Sequence, residues 1–182
     1  MNTYISLLRG INVSGKNKIK MESLRETYRS LGYTNVVSYI QSGNVVFETP
    51  NDDVSDLEAT IRKAIADTYG YDVELVMKTG HDMADVISLN PFSTRPSIDP
   101  KKLCVIFLRR ESPSLPAIDA SKIRNDEYVI MGRQVYLYCP DGFGRTKLTN
   151  AFWEKIMSTI ATSRNWNTVN KLLEMATNLP SD

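Results

Sequence analysis

Histidine and cysteine are almost missing from this 182-residue chain, which holds one histidine, His81, and two cysteines, Cys104 and Cys139. So few soft ligands exclude a zinc site of the usual Cys/His kind, and two thiols cannot build a disulfide framework. No stretch approaches the roughly 18 consecutive apolar residues of a membrane-crossing helix, so no membrane partner is expected. The first residues lack a basic segment followed by an apolar one and a small-residue cleavage site. The expectation is therefore no secretory leader and a cytoplasmic protein. Recognisable catalytic groupings are missing too. His81 has no local partner pattern and reads as an exposed residue. Cys139, just before Pro140, reads as packing at a strand end, because a reactive thiol needs a lowered pKa that spacing does not reveal. No catalytic residue is nominated, and neither a cofactor nor a metal is expected.

What is present is an ordinary globular composition, 42% apolar and 24% charged, enough for a real core. The net charge of +1 conceals an uneven distribution. Residues 1–21 carry Arg9, Lys16, Lys18 and Lys20 with no acid. Residues 143–171 carry Arg145, Lys147, Lys155, Arg164 and Lys171 against Glu154 alone, so the remainder must sum to −7. Two such stretches would create a local positive field if the fold brought them together; as separate faces they would simply be solvated.

Strand and helix signals alternate through the first half. Residues 3–9 are apolar on both faces, as in a central strand. Met21, Leu24, Tyr28 and Leu31 follow helical spacing up to a stop at Gly32. Residues 35–40 and 44–48 read as a hairpin turning at Gln41-Ser42-Gly43. A helix from about Asp52 presents Val54, Leu57, Ile61, Ala64 or Ile65, and Thr68, and residues 71–77 read as a strand. This β-α-β-β-α-β order predicts a ferredoxin-like split unit. After a short helix at 81–89, Pro91, Pro96 and Pro100 mark a connector, and the pattern restarts. Strands are expected at 102–109, 127–130 and 134–139, with a short helix at 117–123. A further helix carries Phe152, Ile156 and Ile160, and a last one buries Val169, Leu172, Leu173 and Ala176. The second copy reads as replacing its closing strand with a helix. The expected class is α+β, with related ferredoxin-like subdomains at 1–90 and 102–182 joined by residues 91–101. One mixed sheet with helices on one side is the alternative.

Two loops have a composition suited to anions. Gly10 to Asn17, G-I-N-V-S-G-K-N, stops one residue short of the phosphate-loop pattern G-x-x-x-x-G-K-[ST]. The missing hydroxyl, and the delay of the helix by residues 18–20, argue against a nucleoside-triphosphatase. Holding a phosphate without hydrolysing it is still compatible with Gly10, Gly15 and Lys16. The second loop, Asp141-Gly142-Phe143-Gly144-Arg145-Thr146-Lys147, likewise leads from a strand to a helix. Arg164-Asn165-Trp166-Asn167-Thr168 opens the last helix, with Asn167 or Thr168 as its N-cap and Trp166 as a core anchor. Split units of this order also serve RNA recognition through aromatics on the central strands. Tyr4 and Phe47 are the candidates for such stacking, or else core residues.

The segments L-L-R-G-I-N-V-S-G-K-N-K, Y-I-Q-S-G-N-V-V-F-E and G-R-T-K-L-T-N with T-S-R-N-W-N-T-V closely resemble domain-of-unknown-function family 1697. The resemblance implies a cytosolic bacterial α+β protein of two related subdomains and no established activity. Ser14 stands where that family typically has glycine. Motif positions carried over are Arg9, Gly10, Asn12, Gly15, Lys16, Asn17, Gln41, Ser42, Gly43, Asn44, Arg145, Thr146, Lys147, Asn165 and Trp166.

The functional expectation is a binding module for an anionic ligand: a nucleotide, a phosphorylated metabolite or a nucleic-acid backbone. Arg9, Lys16, Arg145 and Lys147 supply charge in this reading. Gly10 and Gly15 shape the first loop, and Asn12, Asn17, Gln41, Ser42 and Asn44 direct hydrogen bonds. The alternatives are an enzyme of unassigned class using the same cleft, or a protein-interaction domain that forms homo-oligomers through a strand edge.

Overall fold

The computed structural model describes residues 1–111 and 117–179. The chain is α+β and divides into two compact units, Met1–Ala84 together with the chain from Lys171 onward, and Asp85–Asn170.

In the first unit the elements are β1 (Asn2–Leu8), α1 (Met21–Ser30), β2 (Thr34–Tyr39), β3 (Asn44–Thr49), α2 (Val54–Tyr69) and β4 (Leu75–Thr79). The strands form an antiparallel sheet in the order β2-β3-β1-β4. Central β1 alternates as its sequence requires. Tyr4 and Leu8 join Val45, Phe47, Leu75 and Met77 beneath Leu24 and Tyr28 of α1 and Leu57, Ile61 and Ile65 of α2. Ile5 and Leu7 project to the opposite face and are also buried.

Tyr4 and Phe47 are 4% and 0% exposed, and Phe47 stacks on Tyr33 at 4.6 Å with Tyr28 edge-on at 5.3 Å. The unit's own helix α1 supplies one of those partners. These rings are core, and the stacking platform considered for RNA is not available on them. The Tyr28 hydroxyl donates to Ser6 Oγ at 2.8 Å, so the one polar atom this ring takes inside is satisfied.

Helix α2 is capped by Asp53, whose carboxylate accepts from the Ser55 and Asp56 N–H groups, and it ends at Gly70 with φ 73°. Its buried stripe is shorter than the sequence suggests, since Val54 and Thr68 are exposed at its two ends. The last strand starts at Leu75 rather than at 71, because its partner β1 ends at Leu8, opposite Leu75.

The second unit repeats the plan with β5 (Leu103–Leu108), α4 (Ala120–Ile123), β6 (Glu127–Met131), β7 (Gln134–Tyr138), α5 (Asn150–Met157) and β8 (Ala161–Asn165). Its sheet order, β6-β7-β5-β8, matches the first unit strand for strand. The closing strand is therefore present, contrary to the sequence expectation. Ser158 takes a left-handed φ of 51° and stops α5, so Ile160 precedes a strand instead of riding a helix. Strand β8 then pairs with β5 from Leu108↔Ala161 to Cys104↔Asn165. The buried residues of α5 are Trp153 and Met157, one position along from the predicted Phe152 and Ile156 stripe. Trp153 packs among Cys104, Ile106, Leu137, Cys139 and Leu148 and donates its indole N–H to Leu148 O at 3.1 Å.

Residues 91–101 pack within this unit. Phe92 meets Tyr138 at 6.2 Å, and Arg95 lies over the Phe92 ring while pairing with Glu127. Helix α3 (Gly80–Ser88) and helix α6 (Trp166–Thr177) each contain one of the two divisions between units. The cap of α6 is Asn165, whose Oδ1 accepts from the Thr168 N–H at 2.8 Å; neither Asn167 nor Thr168 plays that role. Among the described residues no helix is long and apolar enough to cross a membrane.

Candidate functional site

The first glycine loop follows β1. Gly10, Asn12, Ser14, Gly15 and Asn17 all take positive φ, between 45° and 77°. Glycine and asparagine tolerate that conformation best, so the composition produces the fold of the loop directly. The loop is held by its own amides. Asn12 Oδ1 accepts from the Ile19 N–H, and Asn12 Nδ2 donates to Ile19 O and to Gln41 O, each at 2.9 Å. Asn17 Nδ2 donates to Gly10 O at 3.3 Å. Across the adjoining hairpin, buried Asn44 donates to Tyr39 O at 3.1 Å and Ser42 Oγ at 3.0 Å.

These contacts bring Gly10, Asn12, Asn17, Gln41, Ser42 and Asn44 into one neighbourhood, and there the amide N–H groups bind the protein's own chain. What this loop turns outward is Ser14, Gly15, Lys16, Lys18 and Lys20, with Arg9 half-buried. The Lys16 N–H closes a tight turn onto Val13 O at 2.9 Å, and α1 begins only at Met21. A phosphate loop needs its lysine at the helix start, so that geometry is not met.

The second loop, residues 139–149, belongs to the other unit. Consecutive turns fold it back, with the Gly142 N–H bonded to Cys139 O and the Arg145 N–H bonded to Gly142 O. Thr146 is its anchor. The hydroxyl donates to Asp126 Oδ2 at 2.5 Å and accepts from the Leu148 N–H at 3.0 Å. Asn125 Nδ2 ties down Asp141 at 2.9 Å. Arg145 and Lys147, on either side of Thr146, are exposed. Thr149 then caps α5 by accepting from the Phe152 N–H.

Between this loop, the start of α5 and the α5-facing side of the sheet lies a cavity of about 350 Å³. Its apolar lining is Cys104, Ile106, Leu137 and Leu148, with Phe143 from the loop. The polar lining comes from Thr146, Thr149, Asn150, Ser163 and Asn165. Asn150 Oδ1 is closed to solvent and has no hydrogen-bond partner among the described residues.

Neither cysteine is set up for nucleophilic attack. Burial raises the Cys104 thiol well above its ordinary value. Burial, then the nearby Asp126 carboxylate, pushes Cys139 up to about 12. Both thiols are protonated at neutral pH and poor nucleophiles. No cluster of three metal-ligating side chains occurs among the described residues. Arg164, counted with the basic stretch, is buried, and its guanidinium donates to Thr162 Oγ1 and Ser163 O at 2.8 Å. Burial also lowers its pKa to about 10.

Sequence reasoning found the loop but not Asn150, Ser163 or Cys104 as cavity walls. The threonine before an apolar helical run was the legible signal for the α5 end of the site.

The family model described as "Protein of unknown function (DUF1697)" matches residues 1–136. The chain is similar in structure to the conserved bacterial protein SP0830 from Streptococcus pneumoniae, with a TM-score of 0.73 and 22% sequence identity over 98% of this chain and 99% of that one. At that identity the likeness establishes the fold. No curated protein matches the chain.

Proposed function

The chain belongs to the DUF1697 family of proteins of unknown function, and from that premise we propose that it is a binding module for an anionic small molecule, held at the glycine loop of the second unit. One observation carries the reading: the cavity of about 350 Å³ is walled by Thr146 and Leu148, and the exposed cations Arg145 and Lys147 alternate with those two residues in the chain. The same cavity is walled by the first residue of α5, where the positive end of the helix dipole favours negative charge. A nucleotide and a phosphorylated metabolite both satisfy these groups. Lys16, presented by the rigid loop of the first unit, is the competing anchor for the same class of ligand.

The test is a thermal-shift panel of nucleotides, sugar phosphates and oligonucleotides at low and high salt. A ligand at 100 times its Kd should stabilise the fold by about 2.7 kcal/mol. The expected result is a saturable rise in Tm that Arg145→Ala with Lys147→Ala abolishes without lowering the unliganded Tm. Loss on Lys16→Ala instead would move the site to the first unit. A steep salt dependence confined to oligonucleotides would replace the small molecule with a nucleic-acid backbone. The absence of any shift would end the proposal.

A further inference from the structure

The cavity has more to recognise than charge. Cys104, Ile106 and Leu137 of the sheet and Leu148 of the loop give it an apolar wall beside the polar Ser163 and Asn165 of β8, and a bare phosphate gains nothing from the apolar part. Phe143 contributes to the same lining from the glycine loop, yet it is 39% exposed, unusual for a phenylalanine in a small domain. An aromatic ring at a cavity rim, with an apolar wall behind it, suits a flat ring seated between them. The third feature is Asn150 Oδ1, an acceptor cut off from water and without a partner among the described residues. Leaving such an atom unbonded is costly, and a ring N–H or exocyclic amine would remove that cost once the Asn150 side chain turns its oxygen into the cavity. At about 350 Å³ the space is near the lower end of the range for small-molecule sites, roughly 300–1,000 Å³. That accommodates one ring and its substituents rather than a run of stacked bases.

Resting on the anion reading above, we infer that the ligand is a mononucleotide-like molecule. A planar, N–H-bearing ring occupies the cavity against Phe143 and bonds to Asn150 Oδ1, and an anionic tail meets the Arg145 and Lys147 side of the loop. Neither part alone uses the whole site. A sugar phosphate leaves the apolar wall and the amide acceptor unused, and a nucleoside leaves the cations unused.

The experiment compares four probes by thermal shift and calorimetry: nucleoside 5′-monophosphates, the matching nucleosides, ribose 5-phosphate and inorganic phosphate. Nucleotides should bind at least about tenfold more tightly than ribose 5-phosphate, since stacking one base on an aromatic side chain is worth about that factor or more. Phe143→Ala should weaken nucleotides about tenfold and leave ribose 5-phosphate unchanged. Asn150→Ala should weaken nucleotides without lowering the Tm of the free protein, because the amide oxygen it removes is bonded to nothing there.

Equal binding of nucleotide and ribose 5-phosphate would overturn the ring inference and leave the anion reading standing. So would a nucleotide indifferent to both substitutions. Nucleosides binding as tightly as nucleotides would keep the ring site and remove the anion. No binding by any probe would overturn both.

Discussion

The two units share a strand order but place their elaborate loops at different points in it. In the first, the long loop follows β1, and the step from β3 to α2 takes only residues 50–53. In the second, the step from β7 to α5, the equivalent place, takes residues 139–149 and walls a cavity. The first loop's amides bond backbone of the loop itself, at Gly10 and Ile19, and of the adjoining hairpin, at Gln41. The second is anchored through Thr146 and Asp141 and leaves an amide oxygen of the adjoining helix unbonded. One frame has thus produced a self-satisfied loop and an unsatisfied one, and the proposed recognition rests on the second.

The sharpest way to break the equivalence of the two frames is at their hairpin glycines. Gly43 has φ +75°, and a methyl group there would lie 2.7 Å from Leu8 Cβ and 2.9 Å from Ile11 side-chain atoms. Gly132 has φ +56° with nothing nearer than Gln134 Oε1 at 3.8 Å. Gly43→Ala should therefore cost about 3–4 kcal/mol in urea unfolding, combining overpacking with a left-handed alanine. Gly132→Ala should cost about 1–2 kcal/mol, the conformational part alone. Equal costs would mean that the two turns are under the same constraint.

A smaller contrast separates the two asparagines. Asn12→Ala removes three hydrogen bonds and should cost about 2–3 kcal/mol. Asn150→Ala should cost nothing measurable in the unliganded protein. A loss of more than about 1 kcal/mol there would show that the amide is already engaged.

Smallest is an alkaline effect on the second unit. Burial raises the Tyr136 hydroxyl to about 12, while its O–H donates to Val86 O at 2.8 Å. An unfolded tyrosine ionises near 10, so above that pH unfolding releases a proton that the folded chain retains. This contribution is intact below pH 10 and is lost as pH rises through 12. Tyr136→Phe should cost about 1 kcal/mol at neutral pH and flatten the decline in Tm above pH 10. An unchanged alkaline limb would assign the decline to other groups.

Much of the frame was legible because its strands are apolar and its turns carry glycine. Strand β8 was not. Its sequence, Ala-Thr-Ser-Arg-Asn, has no apolar alternation, and only the pairing with β5 and the burial of the Arg164 side chain make it a strand. The first loop was legible as a loop, since Asn12 and Asn17 suit positive φ. The destination of the Asn12 amide was not, because its partners lie 7 and 29 positions away. The same holds for the cavity, whose walls come from β5, β7, β8, α5 and the loop before α5 and share no local pattern.

The chain passes out of the first unit within α3 and returns to it within α6. Around Gly80, at the start of α3, the nearest atom to an added Cβ is Ala176 Cβ of α6, at 3.9 Å. Residues made after the second unit thus pack against residues made before it had begun. On the ribosome, the later half can finish folding while the earlier half still waits for its closing helix to emerge.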